Sequence, residues 1–400
     1  MNMFIFFSIY FLLAVAFGTY LAWSLLSATR VQRWGKALGA GAVVCILLLM
    51  PATILLRKAG HESALVGSVV WVGYLGMGFL SFLFCLAILR DTVRLVIGIQ
   101  VYLKERIRNP KPSEPVMASP ADPSRRRFLG YGVSTGITTV AAILTGVGVA
   151  EAMSVPDVRE VNVPIENLPE DLGGFRIVQI TDIHVSPTIH RPFVERVVDT
   201  VNRLQPDIVA HTGDLVDGSV KRLAYHVEPL SRLRSTYGSF FVTGNHEYYS
   251  GADQWIRKVK DLGHRVLLNE HRIIRHGNGR LLVAGVTDYR AGNFNPHQAS
   301  SPARALRGAE PAHVKLLLAH QPKSIYEAAA AGFDLQISGH THGGQFWPWP
   351  ILVRLTQPFI AGLHRFENTQ VYVSRGTGYW GPPIRFGAPS EITLIKLVQI

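Results

Sequence analysis

The pattern of apolar and polar positions divides the chain into an apolar first third and a mixed remainder. Three apolar stretches, at roughly 4–26, 37–56 and 64–89, are long enough to cross a bilayer as helices. A fourth stretch, at 128–150, is less apolar and rich in Gly, Thr and Ala. The pattern therefore predicts four membrane-spanning helices, three of them within residues 1–108.

After about residue 175, short β-type runs alternate with segments of helical spacing. FRIVQITDIH is an apolar run that ends in polar residues, and RPFVERVVDTVNRL repeats its apolar positions at the helical period. The segment HRIIRHGNGRLLVAGV predicts a hairpin that turns on Asn278-Gly279. This alternation predicts an α/β sandwich whose second half leans toward antiparallel pairing.

Most of the basic surplus lies in the apolar third. Residues 1–153 hold 14 Lys and Arg against 6 Asp and Glu, whereas residues 154–400 hold 26 against 22. Links rich in Lys and Arg stay in the cytoplasm, so their positions set the orientation of a membrane protein. The links at 27–36 and 90–127 are the more basic ones. We therefore expect an N-terminus outside, four crossings, and everything after residue 150 outside.

The segment before the fourth apolar stretch has features of its own. Residues 109–124 are rich in Pro and Ser and belong to a predicted flexible, basic linker at 109–127. SRRRFLGYG resembles a twin-arginine export signal, and a basic cluster beside a membrane helix is the alternative. AEA at 150–152 fits a small-residue cleavage site. We expect a fourth span or signal anchor at 128–153 and a globular domain at 154–400.

Polar side chains gather where the β-type runs of the globular part end. They are Asp182, His184, Asp214, Asn245, His246, His320, His340 and His342. Ligands collect at the carboxyl edge of an α/β sheet, so these side chains should lie close together. Residues two apart in extended backbone point the same way, which predicts a shared direction for His340 and His342. Each residue alone could cap a helix, serve a turn or sit in the core, but five similar strand ends favour one site.

The chemistry of this set indicates metal ions. Carboxylate, imidazole and amide oxygen suit Mn, Fe or Zn, and a thiolate site is excluded because Cys45 and Cys85 both lie in apolar runs. Seven ligands cannot crowd around one ion, but they fit two divalent ions that share a carboxylate. Two ions about 3.5–4 Å apart stabilise the attacking and leaving oxygens of a displacement at phosphorus.

The blocks D-x-H, G-D, G-N-H-E, a lone His and G-H-x-H, in this order, resemble those of the calcineurin-like metallophosphoesterases over about 170–400. The resemblance implies a four-layer αββα sandwich with a dinuclear metal site and phosphoesterase activity. It implies that Asp182, His184 and His342 hold one ion, that Asn245, His320 and His340 hold the other, and that Asp214 bridges them. His246 would face the scissile phosphate, stabilising charge or protonating the leaving group. GHTHGGQ and GPPIRFGAPSEITLI resemble an exported, membrane-linked branch of that superfamily.

Three further residues fall near these blocks. His211 and Asp217 are close enough in sequence to Asp214 to orient it, and Glu247 follows His246 and could support the site. The aromatic segment FWPWPILVRL after the last block is either a loop packed on the core or a lipid-contacting loop kept irregular by Pro348 and Pro350.

The main functional prediction is a phosphodiesterase or phosphomonoesterase outside a bacterial-type cytoplasmic membrane. Its phosphoester substrate is left open, with a phospholipid or a lipid-linked nucleotide among the candidates. A transporter or sensor with a regulatory phosphoesterase-like domain is the alternative, although the apolar stretches hold no acidic or His residue mid-span. A nuclease has little support because the globular part shows no basic-aromatic interleaving, so nucleic acid is not an expected partner. The complete ligand set and His246 argue against a metal-binding pseudoenzyme.

Overall fold

The computed structural model describes residues 3–26, 31–58, 64–108 and 123–400. It contains two compact units, Met1–Val147 and Gly148–Ile400. The first unit is built from α1 (Met3–Leu26), α2 (Arg33–Lys58), α3 (Ala64–Arg108) and most of α4 (Pro123–Met153). Each of these helices is long and apolar enough to cross a membrane. The predicted linker at 109–127 lies mostly outside the described residues.

Helix α3 runs well past the predicted end of the third span at residue 89 and reaches Arg108. Its candidate span, Leu65–Ile107, therefore includes Arg90 and Asp91. Asp91 Oδ2 accepts hydrogen bonds from the hydroxyls of Tyr20 at 3.0 Å and Ser24 at 2.7 Å in α1. Asp91 lies just past the predicted 64–89 stretch, which itself holds no acidic residue. The polar cluster joins α1 to α3.

The second unit is made of twelve strands and seven further helices. The strands are β1 (Asp157–Ile165), β2 (Arg176–Ile180), β3 (Ile208–His211), β4 (Ser239–Phe241), β5 (Arg265–Val266), β6 (Glu270–His276), β7 (Gly279–Gly285), β8 (Val314–Leu318), β9 (Leu335–Ser338), β10 (Gly362–Phe366), β11 (Thr369–Val373) and β12 (Glu391–Gln399). The helices are α5 (Arg191–Arg203), α6 (Val220–Val227), α7 (Asn245–Ser250), α8 (Ala252–Asp261), α9 (Pro302–Ala305), α10 (Ile325–Ala330) and α11 (Trp349–Thr356).

The strands form two six-stranded sheets, in the orders β1-β12-β2-β3-β4-β5 and β10-β11-β9-β8-β7-β6. In the second sheet only the edge pairs β10–β11 and β6–β7 are antiparallel. The predicted antiparallel second half is therefore wrong, because crossovers through α9 and α10 return the chain to parallel pairing. The hairpin β6–β7 is present, but His276 pairs with Gly279, so the turn is Gly277-Asn278.

Apolar side chains fill three layers around these sheets. Between the sheets, residues such as Ile177 and Phe240 of the first meet Leu316 and Ile337 of the second. Helices α5, α6 and α8 cover the outer face of the first sheet, and α9 and α10 cover that of the second. The valines of α5 are fully buried, and each such side chain stabilises the fold by roughly 1.5–3 kcal/mol. The predicted four-layer αββα sandwich is confirmed.

Two features tie the ends of the second unit into its fold. Strand β1 pairs in parallel with β12 over its whole length, from Asp157 opposite Glu391 to Ile165 opposite Gln399. The last residues of α4 also belong to this unit, because the Arg385 N–H donates to the Gly148 carbonyl at 2.9 Å. Ala152 is buried in the core next to the first sheet. A cleavage after the predicted 150–152 site would therefore remove Gly148 and Ala152 from the rest of this unit.

Candidate metal centre

All eight residues predicted for the site lie just after central strands of the two sheets. Asp182 and His184 follow β2, Asp214 follows β3, and Asn245 and His246 begin α7 after β4. His320 follows β8, and His340 and His342 follow β9. Since the two sheets pack face to face, the carboxyl edges of both contribute to one place. Seven of the eight fall into groups of potential metal ligands whose ligand atoms lie within 4.8 Å of one another.

The first group is formed by Asp182, His184 and His342. The Nε2 atoms of His184 and His342 are 3.1 Å apart, and His342 Nε2 lies 3.4 Å from Asp182 Oδ1. Burial, reinforced by nearby Arg385, lowers the pKa of His342 well below its usual value, so this imidazole is neutral. Nitrogens bound to one ion at about 2.0–2.1 Å stand roughly 3 Å apart, and the group has this spacing.

The second group is formed by Asp214, His320 and His340. His320 Nε2 lies 3.2 Å from Asp214 Oδ2 and 3.1 Å from His340 Nδ1. The other ring nitrogen of His320 is 2.8 Å from the Thr212 carbonyl, which fixes the proton there and turns Nε2 toward the carboxylate. Burial opposes a charge on His320, but the Asp214 carboxylate raises its pKa to about 10. A cation that binds His320 Nε2 would displace the proton on that nitrogen.

Asp214 lies between the two groups. Its Oδ2 is 3.2 Å from His320 Nε2 in the second group and 3.8 Å from His184 Nε2 in the first. Its Oδ1 accepts the backbone N–H of His246 at 2.8 Å. Burial raises the pKa of Asp214, but His320, His246 and His184 lower it more strongly, to well below its usual range. The carboxylate is therefore anionic at neutral pH and faces both groups.

Asn245 provides an independent test of whether the site suits metal ions. Its side chain is buried, yet Oδ1 accepts no hydrogen bond from any described residue. A buried amide oxygen without a partner is rare, because the lost hydration is not replaced. A bound cation would provide the partner that Asn245 Oδ1 lacks. The mixture of carboxylates, imidazoles and a free amide oxygen fits divalent Mn, Fe or Zn.

The backbone at the site differs from the predicted extended one. Asp182, His184, Asp214, His340 and His342 all have positive φ, between 52° and 71°. Because of this left-handed geometry, His340 and His342 point to different groups instead of sharing one direction. Two glycines next to the site residues leave no room for a side chain. A Cβ on Gly244 would lie 2.1 Å from a carboxylate oxygen of Asp214, and a Cβ on Gly339 would lie 2.1 Å from one of Asp182. Such strain in non-glycine residues is typical of functional sites.

Known proteins are similar to this chain in sequence. Residues 175–344 match the family model described as calcineurin-like phosphoesterase. A transmembrane protein with metallophosphoesterase domain from Danio rerio is 39% identical over 291 residues, which cover 69% of this chain and 67% of that protein. The chain belongs to the calcineurin-like phosphoesterase family. Membership indicates metal-dependent hydrolysis of phosphoesters.

Other similar proteins come from bacteria. An uncharacterized metallophosphoesterase from Campylobacter jejuni is 37% identical over 263 residues, covering 65% of this chain and 68% of its own length. The chain thus spans about two thirds of the length of these relatives. A 5'-nucleotidase precursor from Thermus thermophilus aligns with 56% of this chain and 54% of its own at a TM-score of 0.36 and 14% identity. That likeness is too distant to indicate a substrate.

Two acidic residues hold the phosphoesterase loops: Glu247 supports the site as expected, whereas the role of Asp217 differs from the one expected. Glu247 is fully buried and accepts the N–H groups of Gly244 at 2.7 Å, Asp214 at 3.0 Å and Leu215 at 2.8 Å. It therefore joins two of the predicted ligand loops. Asp217 binds the Nδ1 atoms of His184 at 3.1 Å and His246 at 2.5 Å. It thus orients two histidines, whereas it was predicted to orient Asp214.

His211 does not orient Asp214 either. Its ring packs against Phe241 and lies near the ring of His264, with centroids 4.8 Å and 6.3 Å away. Neither of its nitrogens is hydrogen-bonded to a described residue. Burial lowers its pKa well below the usual value, so the ring is neutral and behaves as a core side chain.

Arg385 is a residue that the sequence did not single out. Its fully buried guanidinium donates to the carbonyls of His342 at 2.9 Å, Arg375 at 2.7 Å and Ala388 at 3.2 Å, and also to that of Gly378. Burial lowers its pKa to about 10, so it remains a cation at neutral pH. The only sequence signal was an arginine within the Gly- and Pro-rich segment GPPIRFGAPSEI.

His246 lies at the open side of the phosphoesterase site. Its Nε2 is 3.9 Å from Asp214 Oδ2, and its ring has aromatic neighbours in Tyr249 at 5.1 Å and Trp380 at 5.7 Å. Burial opposes its protonation, but Asp214 and Asp217 together raise its pKa to about 9. It can therefore hold a proton at neutral pH, with Nδ1 fixed by Asp217 and Nε2 on the side of Asp214.

Proposed function

We propose that the protein hydrolyses phosphoesters with a two-metal centre at the extracytoplasmic surface of a bacterial-type cytoplasmic membrane. The position of Asp214 carries the proposal, because one carboxylate oxygen lies within 3.2 Å and 3.8 Å of histidines from two separate ligand groups. A carboxylate in that position suits two cations better than one. The substrate is a phosphomonoester or a phosphodiester.

The ligand roles follow from the two groups. Asp182, His184 and His342 would hold one ion. His320, His340 and the unpaired Oδ1 of Asn245 would hold the other, with Asp214 shared. When bound, such ions lower the pKa of a coordinated water and neutralise charge on phosphoryl oxygens. Arg385 and Glu247 keep the ligand loops in their strained geometry.

His246 is assigned to the substrate and not to an ion. Asp217 accepts the Nδ1–H of His246 and so favours a protonated ring with Nε2–H directed into the site. That N–H can stabilise charge on a phosphoryl oxygen or pass its proton to the leaving-group oxygen, which departs as an alcohol. Tyr249 and Trp380 limit the water around the ring.

The location rests on the charge of the links between the apolar helices. The links at 27–36 and 90–127 carry most of the basic residues and would face the cytoplasm, which puts the phosphoesterase domain outside. Phospholipids and lipid-linked nucleotides are phosphoesters available at that surface. A reporter active only outside the cytoplasm should then work when fused after Ser154 and fail when fused after Pro110. The reverse result contradicts the orientation, and Arg125→Lys with Arg126→Lys tests the twin-arginine route.

A sensor or transporter with a regulatory phosphoesterase domain is the second candidate. It is favoured by the cluster of Tyr20, Ser24, Arg90 and Asp91 within the apolar helices. In that case Asp91→Asn alters hydrolysis by the full chain. Under the main proposal hydrolysis is unchanged by that substitution.

Hydrolysis by the full chain in detergent is the direct test. The protein is treated with a chelator, supplied with Mn, Fe or Zn, and assayed on p-nitrophenyl phosphate and bis(p-nitrophenyl) phosphate. We expect activity to be lost when the chelator removes the metal and to return when the metal is added back. Asp182→Asn should be inactive. The exposed Asp199 of α5 provides a matched control, Asp199→Asn, which should be fully active. Chelator-resistant activity, or equal activity of both variants, contradicts the proposal.

A further inference from the structure

Helix α11 exposes apolar side chains that its own domain does not cover. Trp347, just before the helix, is 52% exposed, and no residue within the helix is buried. The α11 patch consists of Trp347, Trp349, Ile351, Leu352 and Leu355, all exposed. Phe346 is the buried anchor at its base. Contiguous exposed apolar surface of this kind marks an interaction site.

The patch adjoins the metal centre. It follows His342 in the chain, and Gln345 fastens its base to the neighbouring loop through three hydrogen bonds. Gln345 Nε2 donates to the carbonyls of Trp380 and Pro382, and its Oε1 accepts the Trp380 N–H, each at 3.0 Å. The Trp380 ring lies 5.7 Å from that of His246. A molecule touching the patch is therefore close to the reacting groups.

The same loop receives the end of the fourth candidate span. Gly148 and Met153 belong to the last turns of that span. The Gly148 carbonyl accepts the Arg385 N–H at 2.9 Å, and the Tyr379 hydroxyl lies 3.7 Å from the Met153 sulfur. The Phe386 N–H in turn donates to the Gln345 carbonyl at 2.9 Å. The residues that leave the apolar span and the base of the α11 patch thus meet at residues 379–386.

The charge of this region suits a membrane surface. Residues 343–366 contain no Asp or Glu, and their charged residues are Arg354 and Arg365, both exposed. Arg365 lies 3.8 Å from Glu166, so Arg354 is the cation within the helix itself. Tryptophans beside a basic residue favour the headgroup region of a bilayer with anionic lipids.

We propose that the α11 patch inserts into the bilayer surface and brings the metal centre to phosphoesters carried by membrane amphiphiles. The lipid bilayer, to which the chain's own apolar span leads, is the occupant of the patch. The choice of substrate rests on the proposed hydrolase function, whereas the membrane contact does not.

Lipid contact can be measured without any activity. In the full chain, Cys45→Ala and Cys85→Ala remove the native thiols, and Leu355→Cys carries a fluorescent label. The protein is reconstituted in phosphatidylglycerol-containing vesicles with or without spin-labelled lipid. We expect the label at Leu355 to be quenched, whereas one at Tyr225→Cys, an exposed position on α6, is not. Equal quenching at both positions or no quenching at Leu355 overturns the proposal, as does a disulfide between two copies of Leu355→Cys left unlabelled.

Substrate choice is tested with Trp347→Ser combined with Leu355→Ser. Removing interfacial side chains should lower hydrolysis of vesicle phospholipid by about tenfold or more. The rate on bis(p-nitrophenyl) phosphate should stay within about twofold, because the ligands are untouched. Tyr225→Ser combined with Tyr326→Ser removes two equally exposed aromatic residues elsewhere and should change neither rate. Parallel loss on both substrates makes the patch structural and overturns the proposal. If the unaltered protein cleaves neither, the hydrolase function fails, and quenching at Leu355 still decides the membrane contact.

Discussion

The Arg385 guanidinium contacts both ends of His342: its Nη2 lies 3.0 Å from the ring Nδ1, and its Nη1 donates to the backbone carbonyl at 2.9 Å. These two contacts fix the direction of the imidazole and hold a backbone whose φ is 52°. The same guanidinium binds the Gly378 carbonyl in the loop that carries Trp380. One buried cation thus links a predicted metal ligand to the loop that carries Trp380.

Arg385→Lys should therefore weaken the first group of ligands. An ammonium has three donors and lacks the planar fork, so it cannot serve His342 and three other carbonyls at once. We expect less bound metal per chain and a lower melting temperature, measured by elemental analysis and thermal unfolding of the full chain. Arg375→Lys is the matched control, because Arg375 pairs with Glu391 at 3.0 Å and does not bind His342. Full metal content in Arg385→Lys contradicts the positioning role.

Asp214→Asn should be the most damaging change among the predicted ligands. The amide keeps the size of the side chain but removes the charge that faces both ligand groups. Two cations would then be incompletely neutralised and would repel each other. We expect the loss of at least one ion and of nearly all turnover, with Asp199→Asn unaffected. Normal metal content and rate would rule out a shared carboxylate.

His246→Ala should separate rate from metal content. If His246 acts on the phosphoryl group, the variant keeps both ions and loses roughly 10²–10⁴-fold in rate. The alternative is concrete, because His246 also lies in a ligand-like group with His184 and Asp217. Elemental analysis distinguishes the two, since loss of metal in proportion to rate makes His246 a ligand.

His264 should make the fold sensitive to acid. Burial lowers its pKa to about 4 from the usual 6.5, and neither ring nitrogen is hydrogen-bonded to a described residue. Below pH 6.5 the unfolded chain binds a proton that the folded chain binds only near pH 4. The free energy of unfolding should therefore fall by about 3 kcal/mol as the pH drops from 6.5 to about 4, and then level off. Between pH 7 and pH 5, the melting temperature of His264→Leu should fall less than that of the unaltered chain. An equal fall in both contradicts the prediction.

The sequence predicted where the site residues lie but not how the backbone presents them. Polar residues at strand ends placed Asp182 and His340 at one edge, because alternating strands and helices favour parallel strands whose carboxyl ends share an edge. Period-two reasoning failed there because these residues adopt left-handed φ, which depends on tertiary packing. Asp217 and Arg385 act through partners distant in the chain, and such contacts leave no local pattern.

Two elements were misjudged for reasons that the fold explains. Strand β1 was not predicted, because it is mostly exposed and only Val163 and Ile165 turn buried side chains inward. The segment after the last histidine block was predicted to be irregular, yet α11 forms there. Pro350 occupies the first turn of that helix, where its missing N–H has no intrahelical partner to lose.

The pairing of β1 with β12 has a consequence for how the protein is made. β12 lies between β1 and β2, so β1 reaches the sheet only through the last strand of the domain. During synthesis, β1 leaves the ribosome long before β12 has been made, so β1 stays unpaired until then. In a nascent chain that ends before Glu391, β1 therefore has no strand to pair with, and the edge of β2 is open. A route that translocates the chain during synthesis would deliver it before this sheet can close, whereas a route for folded proteins would have to wait until β12 has been made.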